Sequence, residues 1–213
     1  MVRITIDVII DTACPFCYIA LNHLTRAIER YESKNVNNSV AIRWHPLILQ
    51  PNAPEAVDLS TYVAAIFGPE VRDNKLEGEE AMGRVEGIKF NRNRKLGSTY
   101  DAHRLIYLAG EKSSSLQTSV VRKLFQGHFE DGQAQSSLPF LVDTAVSSGI
   151  EKSEAVAWLE SNAGGPEVEE NIRKATAIGI RSVPHITVAE KYSLGSRYDE
   201  EYLLSTFERL GVE

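Results

Sequence analysis

The sequence predicts an α/β fold interrupted by an all-helical insertion, and three observations predict it. A strand-like run, a helical stripe and a second strand-like run follow one another at the start of the chain. Strand signals then nearly vanish from about residue 58 to residue 162, and a helix, a hairpin and a last helix close the chain. The 213 residues are 43% hydrophobic, enough to bury one sizeable core without disulfide or metal staples. On this reading residues 1–57 and 163–213 are the two halves of one α/β unit, and 58–162 is the helical subdomain set between them.

Ile4-Thr5-Ile6-Asp7-Val8-Ile9-Ile10 mixes alternation with a continuous β-branched run, which suits a strand in the middle of a sheet. From 15 to 33 apolar residues recur at helical spacing through Leu21, Leu24, Ile28 and Tyr31, so a helix follows. Val40 to His45 alternates again, and Pro46, Pro51 and Pro54 end that strand. Helical periodicity then recurs over 62–67, 100–109, 120–129, 138–146 and 155–159. Gly164-Gly165-Pro166 starts the next helix, with Pro166 expected at its first position, Val168, Ile172 and Ala175 on its apolar face and Gly179 past its end. His185–Val188 and Tyr192–Leu194 flank a short turn as a hairpin, and Tyr202, Leu203, Phe207 and Leu210 line a final helix.

A net charge of −6 and a pI near 5.5 argue against nucleic acid or an anionic membrane as partner, and no run of Lys and Arg offsets that average. Residues 1–8 carry acidic and polar side chains where a secretory leader needs an unbroken apolar block. No apolar run approaches the ~18 residues of a membrane span. The expectation is a cytoplasmic protein, and in a reducing compartment a cysteine pair is catalytic or metal-binding rather than a structural staple.

The chain holds two cysteines, and Asp11-Thr12-Ala13-Cys14-Pro15-Phe16-Cys17-Tyr18 places them three apart. Random placement gives that separation on the order of once in a hundred such chains. A zinc site needs about four ligands, yet there is no second Cys pair, and His23, His45, His103, His128 and His185 show no paired spacing, so no metal is expected. Pro15 is favoured in the first turn of a helix, because its missing N–H would have had no partner there. That makes Cys14 the N-cap, with its sulfur facing the free amides of Phe16 and Cys17 and the positive end of the helix dipole. Such settings lower a thiol pKa from about 8.5 to roughly 3.5–7.5, so Cys14 is the candidate nucleophile. Cys17 joins the buried stripe and is the candidate resolving thiol. Phe16 carries no charge and no donor, which leaves the thiolate dependent on the helix terminus and predicts a reduction potential between about −120 and −270 mV. The only redox group expected is the Cys14–Cys17 pair itself.

Cys14-Pro15-Phe16-Cys17-Tyr18 after a first strand, Ser98-Thr99-Tyr100-Asp101-Ala102-His103-Arg104-Leu105 in the helical block, and Gly179-Ile180-Arg181-Ser182-Val183-Pro184 before a hairpin resemble the DsbA-like branch of the thioredoxin superfamily, with the FrnE-type oxidoreductases as the nearest look. The resemblance spans nearly the whole chain and implies a thioredoxin fold with a helical insertion. It also implies that Val183-Pro184 is the family's cis-proline bond beside the Cys14 sulfur, where the Val183 backbone could pair with an extended peptide. Pro15, Phe16, His103, Val183 and Pro184 become candidate substrate contacts, His103 either lining the cleft or buried in the helical bundle. Phe16 stands where FrnE-type motifs often carry Trp, and Leu194-Gly195-Ser196-Arg197 replaces the common Ser-Gly-Ala-Gln. His185 either adds positive field near Cys14 or is a hydrogen-bonded strand residue. Asp11 reads as solvated at a strand edge, while Asp7 is left open as a proton relay.

The function that follows is thiol–disulfide exchange on protein or small-molecule substrates, with glutathione a candidate co-substrate. The alternative is a glutathione-dependent isomerase or transferase of the hydroxychromene-carboxylate isomerase or kappa-class type, which share this architecture but typically carry Ser at the position of Cys14. A non-catalytic binding module on the same fold is the third reading.

Overall fold

Along β1 (Arg3–Ile10), Ile4, Ile6, Val8 and Ile10 are buried, whereas Arg3, Thr5, Asp7 and Ile9 are not. The alternation rather than the continuous run therefore decides the strand, which has one fully buried face although it lies inside the sheet. In this computed structural model, which describes residues 2–54 and 56–211, β1 is flanked by β2 (Ser39–Pro46) in parallel and by β3 (His185–Val188) antiparallel, and β4 (Tyr192–Gly195) completes the order β2-β1-β3-β4. The register sets Val8 beside Trp44 on one side and Ile186 on the other, with Ile6 between Ile42 and Val188. These side chains share one buried cluster with Leu21, Leu24 and Tyr31 of α1 (Pro15–Lys34) and Leu203 and Phe207 of α9 (Glu200–Leu210). The opposite face meets α8 (Gly165–Ala177) across an open groove lined by Asp7, Ile9, His45, His185 and Thr187. Pro166 is the second residue of α8, whose N-cap Gly164 is left-handed, so the helix begins one position earlier than the proline suggests.

The helices between the strands are α2 (Leu59–Phe67), α3 (Pro69–Glu86), α4 (Tyr100–Lys112), α5 (Ser114–Phe129), α6 (Leu138–Ser148) and α7 (Lys152–Glu160). Among the described residues the only strand-like pairing in this stretch is the isolated Asp58–Lys95 bridge. Two buried polar residues join the helices to the sheet and to each other. Gln117 of α5 accepts from the Trp44 amide (3.0 Å) and donates to the Trp44 carbonyl (3.1 Å), so it caps the outer edge of β2 as another strand would. Arg104 of α4 donates to the carbonyls of Trp158, Ser161 and Ala163 and takes up the unpaired C-terminal carbonyls of α7.

α3 has no counterpart in the sequence reading. Its inward face carries Leu76, Glu79 and Gly83, too polar a set to register as an apolar stripe. Glu79 is tolerated inside because Arg94, itself buried on the Phe129 ring, donates to both carboxylate oxygens (2.6 and 2.8 Å). Gly83 permits close approach, since a Cβ there would meet the Ile88 carbonyl and the Phe90 ring at 2.6 Å, whereas Gly78 faces open space. Gly83→Ala is therefore expected to destabilise by about 1–3 kcal/mol, and Gly78→Ala to stabilise by about 0.5–1 kcal/mol, both read from urea denaturation.

Asp7 is engaged structurally. Both its oxygens accept from Arg43 (2.8 and 2.7 Å), and Oδ1 lies 2.7 Å from His45 Nε2. Partial burial pushes its pKa up, but His45 and Arg43 outweigh that and bring it down to about 2. A carboxyl held below its unfolded value of about 3.9 adds stability that is complete above that pH and is lost as pH falls through about 2. Asp7→Asn should thus cost about 1 kcal/mol at neutral pH, allowing for screening of a partly exposed pair, and the difference from wild type should close between about pH 4 and pH 2.

Candidate active site

The turn that delivers the chain from β1 to α1 is built from Asp11. Its carbonyl accepts the Cys14 amide at 3.0 Å, and its side-chain Oδ1 accepts the Ala13 amide at 3.1 Å. Cys14 stands at the N-cap with φ −92° and ψ 115°, and Pro15 opens the helix behind it. The helix start thus falls where Pro15 places it. Cys17 is fully buried and Cys14 is 5% exposed, while Phe16 projects as a 44% exposed lip and Pro15 is half-buried. Both cysteines are free thiols.

Burial and hydrogen bonding drive the two thiols apart. The Cys14 pKa is lowered, first by a hydrogen bond from the Cys17 thiol; burial opposes that, and the amides of Cys17 and Phe16 add to it. The neighbouring thiol acts in the same direction as the amides of the helix start, and the Cys17 amide also donates to the Cys14 carbonyl (3.0 Å). Cys17 is raised well above the ordinary thiol value by burial first and by Cys14 second. One sulfur is thus predisposed to the anion and the other to the proton-bearing form.

The Val183–Pro184 peptide is cis, and the Cys14 thiol lies 3.7 Å from the Val183 carbonyl oxygen, toward which it donates. Val183 and Pro184 are both buried, whereas Arg181 and Ser182 before them are exposed. The Val183 carbonyl therefore faces the sulfur.

His103 is 2% exposed, with its Nε2 3.9 Å from Asp11 Oδ1 beneath the turn, and it contributes to the lining of a cleft with Trp44, His45 and Ile106. Asp11 is likewise 2% exposed rather than solvated at a strand edge. Burial pushes the Asp11 carboxyl up, but His103 and the amides of Leu49 and Ala13 outweigh it, and the net shift is downward. His185 sits 3.3 Å from the Ser193 hydroxyl on the neighbouring strand, and partial burial lowers its pKa, so it brings no positive field to Cys14.

Three contributors to the site carried no signal in the sequence. Gln135, from the loop before α6, donates to the Thr12 carbonyl at 2.9 Å. The Leu49 amide reaches Asp11 Oδ2 at 2.8 Å. Tyr198 stands near the dithiol, its phenol raised by burial and then by the charge of Cys14 and Cys17. A cavity of about 130 Å³ beside the turn is lined by Asp11, Ala13 and Pro15 on one wall and by Val63, Leu76, Glu79, Arg94 and Thr99 on the other. Among the described residues, no three His, Cys, Asp or Glu side chains converge as metal ligands, and no helix is long and apolar enough to cross a membrane.

Comparison with known proteins adds the fold's relatives. No curated protein matches the sequence. Among solved structures, a probable DsbA oxidoreductase from Streptomyces coelicolor superposes with a TM-score of 0.81 at 24% identity, over 99% of this chain and 91% of that one. A 2-hydroxychromene-2-carboxylate isomerase gives a TM-score of 0.66 at 17% identity over 98% and 95%. The cytosolic disulfide reductase DsbM from Pseudomonas aeruginosa, solved with glutathione, gives 0.62 at 15% identity over 98% and 100%. At these identities the likeness is one of fold. The family profile of the DSBA-like thioredoxin domain matches residues 5–202, almost the entire sequence, and the chain belongs to that family.

Proposed function

We propose that the protein is a thiol–disulfide oxidoreductase working through Cys14 and Cys17, in the manner of the FrnE-type branch. The observation that carries this reading is the placement of the two thiols, Cys14 at the N-cap of α1 and 3.7 Å from the Val183 carbonyl oxygen, Cys17 fully buried in the first turn behind it; that placement lowers the pKa of the first and raises that of the second.

In the reducing direction, the Cys14 thiolate attacks one sulfur of a substrate disulfide. A Cys14–substrate disulfide forms, and the other substrate sulfur leaves as a thiolate and takes up a proton. Cys17 then gives up its proton and attacks the Cys14 sulfur, closing the Cys14–Cys17 disulfide and releasing the second substrate thiol. The substrate gains two electrons and the dithiol loses two. Two further thiols, for which glutathione is the candidate, restore the dithiol through the same mixed-disulfide chemistry, and the sequence runs in reverse for oxidation. Phe16 and Pro15 form the exposed side of the mouth, and the segment ending in Val183-Pro184 flanks it. A buried, raised Cys17 suits a resolving thiol, because it stays protonated until the mixed disulfide brings an acceptor sulfur beside it. We place this chemistry in the cytoplasm, where free thiols persist.

A glutathione-dependent isomerase is the second reading, favoured by the fold shared with hydroxychromene-carboxylate isomerase. Replacing Cys14 by Ser separates the two, since disulfide exchange cannot survive the loss of the attacking sulfur.

Cys17→Ser should hold substrates on Cys14 as mixed disulfides, identified by mass spectrometry after non-reducing capture. A folded variant that captures no thiol compound, glutathione included, would remove the exchange mechanism. In the reduced wild type at pH 7, iodoacetamide should modify Cys14 and leave the buried, protonated Cys17 untouched, because alkylation needs the thiolate; equal labelling on a peptide map would contradict the assigned roles.

A further inference from the structure

We propose that the cavity beside the catalytic turn is a binding site for a compact, uncharged molecule that carries a single hydroxyl, such as a small phenol. Neither sulfur takes part in holding it, so the inference goes beyond the exchange chemistry assigned to Cys14.

Size and lining set the class of ligand. At about 130 Å³ the cavity approaches the roughly 150 Å³ that holds one benzene molecule in an apolar protein interior. Leu49, Ala53, Val63, Leu76 and Leu96 supply its apolar wall. The charged groups around it are already engaged. Arg94 donates twice to Glu79 (2.6 and 2.8 Å), and the two Asp11 oxygens accept the Ala13 and Leu49 amides (3.1 and 2.8 Å). Lys75, the other cation in the lining, is exposed and extends over the Phe67 ring. A carboxylate entering here would meet two fixed carboxylates and no free arginine fork, while an ammonium would give up its water for acceptors that are already in use.

Two neutral polar groups in the same lining specify the hydroxyl. Thr99 stands at the N-cap of α4, where a threonine hydroxyl ordinarily accepts an amide of the first turn. Here it makes no such bond, and Ser98 Oγ accepts the Tyr100 amide instead (3.2 Å). The Thr99 side chain is 3% exposed, and its buried hydroxyl has no hydrogen-bond partner among the described residues. A threonine that neither caps its helix nor reaches water is costly unless something else satisfies it. The second group is His128, whose Nδ1 lies 2.8 Å from the Gln133 carbonyl. Burial brings its imidazole down to about 4, so at neutral pH the ring is uncharged, donates from Nδ1 and keeps Nε2 as an acceptor. A ligand hydroxyl can donate to such a nitrogen and accept from the threonine, while its small apolar body fills the leucine-lined space.

Phenol, benzene, benzoate and benzylamine serve as probes, with dissociation constants taken from chemical-shift titration of the reduced protein's amides at pH 7. Phenol is expected to bind about tenfold more tightly than benzene, as one or two buried hydrogen bonds allow, and the two charged probes not measurably. Thr99→Val keeps the shape and breaks no cap. It should abolish most of phenol's advantage over benzene while leaving the thermal midpoint unchanged or raised, because it removes a buried hydroxyl without a partner. Val63→Phe fills the cavity from α2 and Ala53→Leu from the loop before it, and each folded variant should lose all binding. Phenol no tighter than benzene, a preference that survives Thr99→Val, or phenol still bound in a filled variant would overturn the proposal. So would tighter binding of either charged probe, or failure of every probe to bind the wild type, which would leave the cavity to water alone.

Discussion

The hydrogen bond from the Cys14 amide to the Asp11 carbonyl, with Pro15 immediately behind it, fixes where α1 begins. The position of both sulfurs follows from that single start point. With Cys14 outside the helix its side chain can face the Val183 carbonyl, and with Cys17 inside the first turn its side chain points into the core. A helix begun one residue earlier or later would rotate the thiols by about 100° and break this division. The sheet serves the same arrangement: β1 ends at Ile10, β3 begins just after Pro184, and their antiparallel pairing brings the two loops side by side at one end of the sheet.

The helices between β2 and α8 do more than cover the sheet. α4 supplies His103 beneath the turn, and the loop before α6 supplies Gln135 to the Thr12 carbonyl. α5 closes the edge of β2 through Gln117. Each of these side chains is a buried polar group whose strong geometric requirement fixes the insertion's placement over the dithiol.

What the sequence disclosed and what it hid divide along a physical line. The start of α1 was legible because proline's preference is local and the apolar stripe behind it is continuous. The strands were legible because β1 and β3 alternate through Ile6, Val8, Ile186 and Val188. α3 was hidden because its inward face is Leu76, Glu79 and Gly83, where a distant arginine rather than an apolar neighbour makes burial tolerable. Asp11 looked solvated because the groups that hold it, the Leu49 amide and His103, are remote in sequence and leave no trace beside it. Of the influences on Cys14, the Phe16 and Cys17 amides are implied by any helix start, whereas the contribution of the Cys17 thiol depends on how Cys17 is packed.

The contact between Cys14 and Val183 joins positions 169 residues apart. A ribosome making roughly 5–20 residues per second therefore exposes the cysteine pair for about ten to thirty seconds before the segment that shields it exists. During that interval neither β3 nor α9 is available to cover β1, and the thiols ride on a nascent chain without their native surroundings. The dithiol is translated well before the segment that completes its pocket, so its redox state at birth depends on the surrounding thiol pool rather than on the protein's own architecture.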